Sequence, residues 1–300
     1  MFELLKNTKI DFIGFRKKAF IISAIMMIVG LYAFVMIVMG RANLSVDFTG
    51  GANLQIRFAE QVDIGALREV LTNGGISDVQ IQEVSGTKDF FIKTKLSDIE
   101  KESIEDRVSS ILTNQLPGKK FEILGSNMVG PGVGKDLRNY AIIAVCLAML
   151  GIIGYIWYRF TLISGLAATI ATFHDVVAVL GVFYLLDKEF NLLIITALLT
   201  IAGYSLSDTV VVFDRIRENM GSMKARDDLA QLMNRSINEV LSRTIITGIS
   251  TILALGALML LGGEVLFDFS LALLIGLVVG TYSSIFIASP LVLIWRKAAK

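Results

Sequence analysis

Asp208 stands inside "TIAGYSLSDTVVVFDRIREN" (residues 200–219), a run that begins like a membrane span and ends in charge. A carboxylate well inside an apolar helix costs about 2.5–3.5 kcal/mol on insertion scales, so its presence needs a reason. Other ionisable side chains that bear on it are His174 and Asp175 inside the run "ATFHDVVAVLG", and Arg243 at the edge of one in "LSRTIITG". Tyr204, Ser205, Ser207 and Thr209 place hydroxyls around Asp208. The chemistry open to such a set is proton exchange. An arginine beside a carboxylate favours the anion, while desolvation favours the protonated acid, and the two opposed effects leave protonation sensitive to surroundings. His174, the single histidine of the chain, titrates near neutrality when unperturbed and could join a relay. The structural alternative is that Asp208 and Arg243, at similar depth on neighbouring helices, form a buried ion pair that only fixes packing. Arg243 has a further alternative as a positive charge at the membrane edge.

The elements that must hold these residues are membrane helices. The 300 residues are 54% hydrophobic with a mean hydropathy of +0.67, more apolar than a soluble domain of this length. The apolar residues fall into runs near 19–39, 139–158, 162–186, 190–213, 245–262 and 266–294, each long enough to cross a bilayer. This pattern predicts a six-span helical protein. Cations gather in the N-terminal tail, at Arg159, between spans 4 and 5, and at the C-terminus, whereas "DKEFN" and "GGEVLFDF" hold one cation between them. The positive-inside rule then puts both termini in the cytoplasm. The first run is too long for a cleaved signal and lacks a small-residue cleavage pattern, so it reads as an anchor. Cys146, the lone cysteine, excludes a disulfide framework.

Residues 40–138 have ordinary soluble composition and fall outside the cytoplasm by this topology. Leu54, Ile56 and Phe58 alternate as in a strand, and Ile64, Leu67, Val70 and Leu71 share a helical face stopped by Gly74 and Gly75. "DVQIQEV" and "DFFIKTK" flank "SGTK" as a hairpin, and "SDIE" (97–100) reads as a capping box before Ile104, Val108, Ile111 and Leu112. With "KKFEIL" returning as a strand, the order is that of a small α+β ferredoxin-like domain. The predicted organisation is 1–39, tail and first span; 40–138, outer domain; 139–300, spans 2–6 with a cytoplasmic link at 214–243. In that link Leu229, Leu232, Met233, Ile237, Val240 and Leu241 recur at helical spacing. They suit either an interfacial or docking helix or a surface helix leading into span 5. "GPGVGKD" (130–136) lacks phosphate-loop spacing and reads as a turn into span 2. "GLVVG" (276–280) is a small-residue pair for close helix packing. No nucleophile-and-base set or metal-ligand cluster is visible, so an enzyme, a metal and an organic cofactor are not expected.

Several stretches carry a family resemblance: "VDFTGG" (46–51), "VGPGVGKDL" (129–137), "FHDVVAVLGVF" (173–183), "GYSLSDTVVVFDRIREN" (203–219) and "NRSINEVLSRT" (234–244). Over nearly its whole length the chain resembles SecF, the smaller side of the SecD/SecF family of bacterial protein-export subunits, relatives of the RND superfamily. The resemblance implies an RND-like six-helix half in the bacterial inner membrane that works with SecD beside the SecYEG channel. It further implies that the pair uses the proton motive force, with protons as the coupling ion, to assist late steps of preprotein export. The intramembrane acid and arginine of the family correspond to Asp208 and Arg243, while His174 and Asp175 are family-like without an implied role. Membrane lipid, SecD, the channel and the preprotein are the implied partners, and nucleic acid is not among them. Two other readings compete: a proton-coupled RND-type exporter half, which the compact outer domain disfavours, and a passive scaffold for SecD or the channel.

Overall fold

A computed structural model describes residues 8–76, 79–83, 87–94, 104–223 and 227–298. It divides into two compact units, one of residues 1–43 with 144–300 and one of residues 44–143.

The smaller unit is built around an antiparallel sheet in the order β2-β3-β1-β4, with β1 Gly51–Phe58, β2 Gln80–Glu83, β3 Asp89–Thr94 and β4 Phe121–Val129. Alternation in β1 turns Ala52, Leu54, Ile56 and Phe58 inward. There they meet Phe90 and Ile92 of β3, Leu67 and Leu71 of helix α3 (Ile64–Asn73), and Val108 and Leu112 of helix α4 (Ile104–Gln115). A bulge between Gln55 and Ile56 breaks the register against β4. Asp63 caps α3 through the Ala66 amide at 3.0 Å, and Gly75 leaves the helix at φ +85°, where a side chain would be strained. Arg57 and Asp89 form a two-pronged ion pair of 2.7 and 2.8 Å across β1 and β3. This is the ferredoxin-like order that the alternation predicts; the capping box at 97–100 lies outside the described residues. A short helix, α2 (Val46–Thr49), precedes β1.

The "GPGVGKD" turn is a correction. Only Gly130 separates β4 from helix α5 (Pro131–Arg159), because proline is pre-set for a first helical position and the glycines after it continue the helix.

Among the described residues, six helices are long and apolar enough to cross a membrane. They are α1 (Arg16–Val38), α5, α6 (Leu162–Leu185), α7 (Leu192–Gly221), α8 (Leu229–Leu261) and a last span made of α9 (Gly263–Ser283), a π-helical turn (Ser284–Ala288) and α10 (Ser289–Ala298). Their burial is unequal. Of the apolar window of α6, 67% is buried inside the chain, against 6% for α5. The central place of α6 follows from its small residues. An added Cβ at Gly181 would lie 2.9 Å from the Gly30 backbone of α1, and one at Gly30 would strike the Val177 carbonyl. Gly276 and Gly280 likewise bring α9 against Ile201 and Ser205 of α7, the close packing their spacing predicts.

Of the two readings of the helical stretch in the 214–243 link, α8 follows the one in which it leads into span 5. The amphipathic stretch and the apolar stretch are one helix of 33 residues, about 50 Å long at 1.5 Å per residue. A hydrocarbon core is about 30 Å thick, so one end of α8 projects beyond it. That end is tied to α7 through charge, Glu239 of α8 pairing with Arg215 of α7 as well as with Arg235, while Arg159 of α5 pairs with Asp214 of α7. Asn234 and Asn238, one turn apart, grip the backbone ahead of α1, accepting from the amides of Ile13 and Ile10 at 2.9 and 3.0 Å. Cys146 is a free, exposed thiol on α5.

Candidate functional site

α7 presents Ser205, Asp208 and Thr209 at spacings that put them on one helical side. Ser205 and Thr209 are fully buried and Asp208 is half-buried. Two polar groupings result. The first centres on Asp175 of α6, which has no exposed surface. One of its oxygens, Oδ1, is 2.9 Å from His174 Nδ1; the other, Oδ2, accepts from the Ser205 hydroxyl and from Ser283 Oγ at 2.7 Å. Three helices are therefore tied to one carboxylate. Beside this hub, Thr209 Oγ1 and Ser284 Oγ are 2.7 Å apart, and Ser284 also donates to the carbonyls of Gly280 and Ser205. The π turn sets this arrangement: Ser289 Oγ donates to the Ser284 carbonyl five residues back.

The second grouping is Asp208 itself. Its Oδ2 accepts from Thr281 Oγ1 of α9 at 3.3 Å, a long bond for a carboxylate. Arg243 acts on Asp208 through its charge, but no ion pair joins the two among the described residues. The buried ion pair posed as the structural alternative is thus not formed among the described residues. Arg243 lies on the exposed side of α8, next to buried Thr244, whereas Asp208 is turned toward α9. Matched depth did not imply matched azimuth. Tyr204 reaches Thr251 of α8 at 3.5 Å, and Ser207 is exposed, away from both groupings.

The structure thus gathers His174, Asp175 and Ser205, sets Thr209 beside them, and leaves Asp208 a neighbour rather than a member. Sequence reasoning missed Thr281, Ser283 and Ser284. Their signal was four hydroxyls in a row, "TYSS" (281–284), in an otherwise apolar span.

Chemically, Asp175 is a satisfied acceptor that fixes α6, α7 and α9. A hydrolase triad needs the imidazole between acid and hydroxyl; here the acid lies between the imidazole and the hydroxyls, so neither serine has a base. Asp208 is the carboxylate with room to change partners, since its single hydrogen bond is weak and its counter-charge stands off. Among the described residues no group of three or more His, Cys, Asp or Glu is placed to hold a metal ion.

Comparison with known proteins agrees with this architecture. Residues 101–298 match the family model described as protein export membrane protein SecD/SecF, C-terminal. Protein translocase subunit SecF of Thermodesulfovibrio yellowstonii is 50% identical over 298 residues, covering 99% of this chain and 98% of that protein. SecF of Calditerrivibrio nitroreducens is 40% identical, again over 99% and 98%. The crystal structure of SecDF, a translocon-associated membrane protein from Thermus thermophilus, superposes with a TM-score of 0.84 at 37% identity over 97% of this chain. A SecDF structure in a super-membrane-facing form superposes at 0.70 with 35% identity over the full chain. This chain spans 39% and 40% of those two longer SecDF chains. With end-to-end identity of 50% and six apolar helices among its described residues, the chain is a multi-pass membrane protein that belongs to the SecD/SecF family of protein export membrane proteins, on its SecF side.

Proposed function

We propose that this chain works with SecD beside the SecYEG channel, and that the pair uses the proton motive force to assist late steps of preprotein export. The observation that carries the reading is Asp208: a half-buried carboxylate within a membrane-spanning helix, held by one 3.3 Å hydrogen bond, with Arg243 near enough to act and not in contact. Such residues in membrane spans mark ion and proton routes. Protonation of Asp208 would remove its attraction to Arg243 and let α7 and α8 re-pack. A membrane potential supplies about 2.3 kcal/mol per charge per 100 mV, comparable to the ~1–3 kcal/mol of typical coupling between sites.

The proposed setting is the bacterial inner membrane with both termini cytoplasmic and the ferredoxin-like unit outside. In support, Arg16, Lys17, Lys18, Arg159, Arg215, Arg217, Arg235, Arg296 and Lys297 fall at helix ends on the side assigned to the cytoplasm, against Arg41, Lys135, Arg138 and Lys188 on the other. Protons are the coupling ion, and neither an enzymatic step nor a cofactor is part of the proposal. The scaffold reading has one observation in its favour, the fully satisfied Asp175 hub, whose role is structural.

Inverted membrane vesicles lacking the native subunit and supplied with SecD and either this chain or Asp208→Asn separate the two. With ATP removed after translocation has begun, the wild-type chain should complete export when a proton gradient is present. Asp208→Asn should lose that gradient-driven fraction at equal membrane content. Equal completion by both would make Asp208 structural and leave the scaffold.

A further inference from the structure

Thr281 departs from a pattern that other threonines of the spans follow. Thr196, Thr200, Thr247 and Thr251 each return a hydroxyl bond to the carbonyl four residues back, at 2.9–3.0 Å. The Thr281 hydroxyl instead crosses from α9 to α7 and donates to Asp208 Oδ2 at 3.3 Å, its one hydrogen bond among the described residues. Both residues are half-buried.

The chain around Thr281 fixes where that hydroxyl stands. Each of the three residues after it is tied to another helix. Tyr282 donates to the Ala19 carbonyl of α1 at 2.7 Å, Ser283 donates to Asp175 of α6 at 2.7 Å, and Ser284 Oγ lies 2.7 Å from Thr209 Oγ1 of α7. On the other side, Gly280 packs so closely on α7 that an added Cβ would stand 3.0 Å from the Ser205 Cβ. Thr281 is thereby held opposite Asp208, three residues beyond Ser205 on the same side of α7.

Chemistry then singles out a hydroxyl. A carboxylate only accepts, whereas the protonated acid also donates. A hydroxyl has one proton and two lone pairs, so it can meet either form without leaving its place. Arg243, which acts on Asp208 through its charge, has donors alone and serves only the anion. A partner for one form alone would leave the other unsatisfied within the span.

We propose that Thr281 is the positioning residue of Asp208, partnering its carboxylate and its carboxylic acid in turn. With Asp208 charged, the Thr281 hydroxyl donates to Oδ2. When a proton arrives on Oδ2 the bond reverses, and Asp208 donates to Thr281 Oγ1. The threonine keeps its own proton and turns it to the Leu277 carbonyl, four residues back. The inference rests on proton exchange at Asp208 as proposed above, and names the group that holds the acid through both states.

The full chain, reconstituted with SecD in proteoliposomes, is followed by infrared difference spectroscopy as alkaline buffer is exchanged for acidic. The carboxyl C=O band that Asp208→Asn removes belongs to Asp208. In Thr281→Val, which keeps the shape and lacks the hydroxyl, that band should move to higher frequency, as it does when a carboxyl group loses a hydrogen bond. Thr281→Ser should restore the wild-type band. Thr200→Val, at a hydroxyl that serves its own helix, should leave it unmoved. Inverted vesicles give the second readout: at equal membrane content Thr281→Val should lose the gradient-driven fraction of export and Thr281→Ser should keep it. A moved band with export intact supports the pairing and overturns instead the coupling of Asp208 to export. A band unmoved in Thr281→Val, a band in Thr281→Ser equal to that in Thr281→Val, or no band lost in Asp208→Asn overturns the pairing.

Discussion

Asp175 offers the sharpest test of how the membrane body is held. Replacing it by leucine keeps the volume and removes an acceptor that serves three groups on three helices. Ser283 has a second acceptor, the Gly280 carbonyl at 3.1 Å, so it is not stranded. The Ser205 hydroxyl and His174 Nδ1 lose the hub without such an alternative. Two buried groups left unsatisfied at ~1–3 kcal/mol each predict a loss of roughly 2–6 kcal/mol. Interhelical hydrogen bonds in bilayers average nearer ~0.6 kcal/mol, because the separated helices find other partners, which favours the lower end. Asp175→Asn behaves differently. Its carbonyl can accept from both serines and its amide can donate to an Nδ1 lone pair after a tautomer change, so a loss below about 1 kcal/mol is expected. Reversible unfolding in mixed micelles, followed by tryptophan fluorescence, measures both variants. Destabilisation of Asn equal to that of Leu would refute the hydrogen-bond account and make the charge itself the stabilising feature. Wild-type stability in Leu would remove the hub altogether.

Other outcomes follow from the same geometry. Gly181→Leu puts a side chain against the backbone of Gly30, which cannot move aside; a loss of about 1–3 kcal/mol and a protease-sensitive α1 are expected, and an unchanged Tm would contradict the close crossing. In the smaller unit, the Arg57 guanidinium holds the Asp89 carboxyl below the usual carboxylate range. Stability from a lowered acid is complete above the unfolded value of about 3.9 and is lost as pH falls through the folded value. Amide-exchange protection of β1 and β3, corrected for intrinsic rates, should therefore hold at neutral pH and decline only in acid. Arg57→Ala should lower it already at neutral pH by stranding a buried carboxylate, and a pH-independent wild type would refute the pair.

The spans and the small sheet were legible because burial writes itself as periodicity: unbroken apolar runs for the helices, alternation at Leu54, Ile56 and Phe58 for β1. Boundaries were less so. The stretch 229–241 changes from an amphipathic to an apolar pattern, yet no glycine or proline interrupts 229–247, so the helix runs on. Asp208, Arg243, His174 and Asp175 stood out because charge in an apolar span is costly. Hydroxyls are cheap there, since they can return a bond to their own helix, as Thr196, Thr200 and Thr247 do. Thr281, Ser283 and Ser284 therefore passed unremarked. Contact also depends on the rotation of each helix, which depth along the sequence does not give; hence Arg243 faces out while Asp208 meets Thr281.

The π turn at Ser284–Ala288 makes the last span a matter of phase as well as length. An α-helix advances about 100° per residue, so losing one residue from that turn would spin everything after it by that angle. Val292 and Leu293, now facing the core, would swing off it, while Ser283 upstream kept its hold on Asp175. The extra residue works like a spacer on a keyed shaft, letting the hydroxyl-bearing and apolar ends of one rod each engage their own lock.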